Sequence, residues 1–153
     1  MSKLRLDIEE KYKSALKEKN EIRIKTMRLI KAAIKNKDIA ERSADKKDQL
    51  TDESVLLLLQ SLIKQRNESV EMYKKGGREN LAEGELKEIS YIKEFLPVQF
   101  SEDETKNIIN KIIKNENVKN IKGMGKLMTK IKSDYSGKID MAIAGRLAKE
   151  ILN

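Results

Sequence analysis

Residues 95–104 read FLPVQFSEDE and contain the only proline of the chain, Pro97. Proline lacks a backbone N–H and turns the residue before it away from the helical conformation, so a helix arriving from the N-terminal side must stop there. Ser101 then stands three positions before Glu104, the spacing of a capping box, in which each side chain satisfies a free amide at the start of a helix. A stop followed at once by a start divides the chain. The expectation is an all-α protein with a four-helix bundle-like N-terminal domain over residues 1–96, a linker over 97–100 and a three-helix C-terminal domain over 101–153.

Upstream of the break, apolar residues recur at helical spacing in four segments. Leu4, Ile8, Tyr12, Ala15 and Leu16 define a helix over about 3–18, and Met27, Ile30, Ala33 and Ile34 a second over about 21–40. The polar stretch ERSADKKDQ separates these from a third, which opens at Thr51 with Asp52 and Glu53, residue types suited to a helix N-terminus. Val55, Leu59, Leu62, Val70 and Tyr73 carry it to Gly76-Gly77, a natural C-terminal stop. Leu81, Ile89, Ile92, Phe95 and Leu96 give a fourth helix over about 79–96. Downstream, three shorter helices are expected over about 102–115, 121–135 and 141–152, with Asn120 and Asp140 as N-caps of the last two. No segment alternates as a strand does.

Composition narrows the function. The 153 residues include no Cys, no His and no Trp, which removes disulfides, thiol nucleophiles, the usual zinc ligand sets and any Ser-His-Asp arrangement. No metal, cofactor or catalytic residue is therefore expected. The longest apolar run, Val55 to Leu59, is too short for a bilayer span, and the N-terminus lacks a signal-like apolar stretch. These features point to a cytoplasmic protein without membrane association. The formal net charge is +8, and residues 105–153 hold 11 of the 33 basic residues against 4 of the 25 acidic ones. This uneven charge balance, in which acids are sparse in the last third, suggests a polyanionic partner, and the scarcity of aromatics favours a folded RNA read by shape over a single strand read by stacking. Candidate RNA-binding residues are Arg28, Lys31 and Lys35, which share a flank of the second helix, and Lys122, Lys126, Lys130, Lys138, Arg146 and Lys149 in the C-terminal part.

Two further patterns require a reading. Gly123-Met124-Gly125-Lys126 is similar to a phosphate loop, but a P-loop has a glycine five positions before its Gly-Lys pair and Ser or Thr after it. Here those positions are Asn120 and Leu127, so the stretch reads as a helix start whose glycines allow close backbone approach. Within the apolar stripes of the third and fourth helices lie Arg66, Glu85 and Glu88, with Arg66 and Glu88 eleven residues either side of Gly77. Antiparallel packing brings them face to face. An ion pair from Arg66 to Glu88 or Glu85 is expected, extended by Lys64, Gln65 and Arg78, because a charge among apolar side chains needs a partner.

The segments MRLIKAAIKN (27–36), KQRNES (64–69), GGRENLAEGELKEI (76–89), FLPVQFSEDE (95–104), MGKLM (124–128) and SGKID (136–140) occur in this order along the chain. With these gaps they make it resemble the GatB/YqeY family, in particular the small stand-alone YqeY-like proteins. The resemblance implies a two-part helical fold related to the tail of the B subunit of the tRNA-dependent amidotransferase, a tail that helps engage tRNA while amide transfer occurs elsewhere. Asn80, Phe95 and Phe100 depart from residues common in the family at caps and packing positions. The function expected on this basis is a non-catalytic accessory module binding tRNA or a tRNA-handling complex. The alternatives are a component of tRNA-dependent amidotransferase activity, a carbon–nitrogen ligase with glutamine as amide donor, and a protein–protein adaptor.

Overall fold

A computed structural model of the chain describes residues 2–41, 50–135 and 137–153. Most of the polar stretch after the second helix, and Ser136 of the SGKID segment, lie outside the described residues. Among those described there are seven α-helices, one short 3-10 turn and no strand. The helices are α1 (Lys3–Glu18), α2 (Glu21–Glu41), α3 (Asp52–Lys75), α4 (Glu79–Lys93), α5 (Glu102–Asn115), α6 (Met124–Asp134) and α7 (Met141–Leu152). They form two compact units, residues 1–96 and 97–153.

In the first unit α3 and α4 make the most extensive pairing, and α2 packs on α1, α3 and α4. Thr51 starts α3 by accepting a hydrogen bond from the Ser54 amide at 3.2 Å. Gly77 takes φ +72° in the turn to α4, a backbone region that an L side chain enters only at a cost. The core holds Ile8, Met27, Ile30, Val55, Leu59, Ile89 and Ile92. Thr26 is also fully buried, and its hydroxyl is satisfied by donating to the Ile22 carbonyl at 2.8 Å.

Three local expectations change. Helix α4 ends at Lys93 rather than Leu96, because the chain tightens before Pro97 into turns in which Phe95 and Leu96 donate to the carbonyls of Ile92 and Lys93. Leu81 is exposed while Ala82 is buried: the inward stripe of α4 runs through the smaller residue, one helical step of about 100° away. Leu16 is exposed at the end of α1 for the same reason, Ala15 holding the inward position.

The second unit is a three-helix arrangement around Ile109, Ile112, Leu127, Ile131, Ile139 and Leu147, with Ala144 and Ala148 filling the close approach of α7. The Ser101–Glu104 capping box is present, both of its hydrogen bonds at 3.1 Å. Asp140 accepts from the amides of Ala142 and Ile143 to start α7. Asn120 caps a 3-10 turn, Ile121–Gly123, that runs directly into α6. Residues 97–100, expected as a linker, fall to this unit. The Phe100 amide donates to the Lys138 carbonyl at 2.9 Å, the Gln99 side chain donates to the Gly137 carbonyl, and the Phe100 ring stands edge-on to Tyr135 at 5.8 Å.

Candidate nucleic-acid interface

The expected cations fall in both units. On α2, Arg28, Lys31 and Lys35 succeed one another at steps of three and four residues, so one flank of the helix carries all three. Tyr12 of α1 organises two of them. Its hydroxyl accepts from Arg28 Nε at 3.3 Å, and Lys31 Nζ lies 4.3 Å from its ring centroid while pairing with Glu9 at 3.2 Å. Lys35 is exposed and lines a groove of about 340 Å³ between α1 and α2, where Arg5 and Asp38 are already joined at 2.7 Å. The sequence suggested the basic flank but treated Tyr12 only as a core residue. The available signal was an aromatic on the helix antiparallel to a run of cations.

In the second unit, Lys122 sits in the 3-10 turn and Lys126 and Lys130 follow on successive turns of α6. Lys126 approaches Glu116 at 3.4 Å and Lys130 approaches Asp134 at 3.5 Å. On α7, Arg146 binds Glu102 and lies 3.6 Å from Glu150, while Lys149 is exposed without an ion pair among the described residues. Lys138, in the turn before α7, is likewise exposed. The hydrogen-bonded Glu102 carboxylate raises the pKa of Arg146 above its ordinary value. Lys126 reaches the residue after α5 and Arg146 reaches its first turn. Lys126 and Arg146 are thus set at opposite ends of a helix about 20 Å long. Such exposed pairs are individually worth little, and a phosphate can replace the carboxylate.

The buried charge lies elsewhere. Arg66 Nε donates to Glu88 Oε2 at 3.1 Å, with side-chain exposures of only 12% and 9%, and the guanidinium also donates to the Leu62 carbonyl. Lys64, Arg78 and Glu85 make no ion pair among the described residues, and Lys64 and Gln65 point to solvent. Lys25 of α2 comes to 3.5 Å from the other Glu88 oxygen. With an opposed cation on each side and apolar walls, Glu88 is placed to tie α2, α3 and α4 together.

Among the described residues no helix is long and apolar enough to cross a membrane. No curated protein was found to match the chain. The sequence model of the family described as Yqey-like protein matches residues 5–152, essentially the whole length and both helical units, and the chain therefore belongs to the YqeY-like family, which is related to the C-terminal tail of the amidotransferase B subunit.

Proposed function

We propose that this protein is a non-catalytic accessory module that binds tRNA, or a complex handling tRNA, chiefly through the cations of its second unit, with the α2 flank contributing. The observation that carries the reading is the set of exposed cations in the second unit: Lys122, Lys138 and Lys149 have no ion pair among the described residues, and Lys126, Lys130 and Arg146 meet carboxylates only at the surface. Kinship with an amidotransferase tail favours tRNA among polyanionic partners. Phosphate contacts release counterions, and each contributes roughly 0.9 to the salt slope on a duplex. Engagement by Lys122, Lys126, Lys130 and Lys149 therefore gives a slope of log affinity against log salt of roughly −3 to −4.

Fluorescence anisotropy of labelled total tRNA, titrated with the protein across a salt series, measures this slope. Lys126→Glu with Lys130→Glu should weaken binding strongly at low salt and flatten the slope. Affinity indifferent to salt, or no complex at low salt, removes the proposal.

A further inference from the structure

Helix α2 carries two apolar faces. One, formed by Met27, Ile30 and Ile34, is buried by the rest of the first unit. The other runs through Ile22, Lys25, Leu29, Ala32, Asn36 and Ile39, at steps of three and four residues, the heptad spacing of a helix that receives another helix. Ile22, Leu29 and Ile39 are 36%, 41% and 55% exposed. Ala32 is exposed as well and permits close approach. Lys25, Leu29 and Ala32 line a shallow groove of about 550 Å³ together with Glu21, Ile24 and Arg28.

The flank of this seam is cationic. Arg28 and Lys35 stand seven residues apart, in equivalent heptad positions, and neither has a carboxylate partner among the described residues; Arg28 bonds only the Tyr12 hydroxyl. Lys25, within the seam, is 71% exposed at its side chain. Glu21, seven residues before Arg28, is the sole acid lining the groove among the described residues. We infer that this face of α2 docks an amphipathic helix of a partner protein, one with apolar residues along its seam and Asp or Glu on its flanks.

Charge and pattern select this occupant over others. A second copy of the chain presents the same Arg28 and Lys35 along this seam, and so meets cations with cations. A membrane-binding face needs a continuous apolar stripe, whereas Lys25 and Asn36 interrupt this one. Polar residues at single seam positions are what fix register in helix pairs, and Lys25 is such a residue, its side chain 71% exposed although it also reaches Glu88 at 3.5 Å. The inference shares Arg28 and Lys35 with the RNA-binding reading and is distinguished from it by the apolar side chains of the seam, which an RNA leaves idle.

The probe is a fluorescein-labelled synthetic helix about three heptads long, with Leu at seam positions and Glu on both flanks, titrated with the full chain. A second peptide carries Lys on the flanks. Saturable micromolar binding of the Glu-flanked peptide alone is expected, and Leu29→Gln should weaken it by about tenfold or more while leaving tRNA affinity unchanged. Arg28→Glu with Lys35→Glu should reverse the preference between the peptides. Equal binding of both peptides, binding of neither, or indifference to Leu29→Gln overturns the inference. So does a dimer in sedimentation, or binding to phosphatidylserine vesicles, that Leu29→Gln abolishes, since either assigns the face to another occupant.

Discussion

Removing either member of the Arg66–Glu88 pair strands a charge between α3 and α4. Arg66→Met leaves Glu88 facing only the solvent-exposed Lys25 at 3.5 Å, and Glu88→Gln leaves a nearly buried guanidinium with the Leu62 carbonyl and a neutral amide. Each single change is expected to cost about 3 to 5 kcal/mol, the range for breaking a buried pair, read as a lowered midpoint in urea. The double variant Arg66→Met, Glu88→Leu should recover most of that loss, because apolar side chains of similar volume replace a buried pair at little cost. If the double variant is no more stable than the singles, the pair is not what makes them fail. Sequence placed Arg66 and Glu88 on facing stripes because both positions follow from helical period and distance from Gly77. It did not place Lys25, which arrives from α2 across the tertiary fold.

At the scale of elements, the junction into α6 separates two glycines that look alike in Gly123-Met124-Gly125. A Cβ on Gly123 would lie 2.6 Å from Val118 Cγ1, a stiff and buried β-branched side chain, whereas a Cβ on Gly125 meets nothing within 4 Å. Gly123→Ala is therefore expected to destabilise the protein by about 1 to 3 kcal/mol through overpacking. Gly125→Ala, inside a helix without positive φ, should be neutral or stabilising by up to about 1 kcal/mol, since alanine is the better helix former. Thermal melts of the two variants check the contrast. Melts that shift alike would show that Val118 yields freely. The glycine pair was legible as a helix start because P-loop residues are missing around it, but which glycine the packing demands depended on Val118, five residues upstream.

At the scale of the molecule, two cores of different size stand on either side of Pro97. The smaller spans residues 97–153, and at typical stabilities per residue a unit of that length has only about 3 to 8 kcal/mol to lose. Ile131 is fully buried at its centre. Ile131→Ala should remove about 2 to 5 kcal/mol, enough to bring this unit close to its melting point, and two-dimensional NMR should show the resonances of residues 97–153 collapsing toward random-coil positions on mild warming. Retention of their dispersion through the wild-type range would mean that the cavity closes around the loss.

The residues alone determined the helical class, the break at Pro97, the caps at Thr51, Ser101 and Asp140 and the inward course of most helices, because these depend on interactions spanning a few positions of one segment. The tertiary structure alone decided which cations meet carboxylates, that Tyr12 gathers Arg28 and Lys31, that Lys25 completes the site of Glu88, and that α2 keeps an apolar seam open. Those outcomes depend on distances between residues far apart in the chain, and helical periodicity sets a side chain's direction without fixing what lies opposite it.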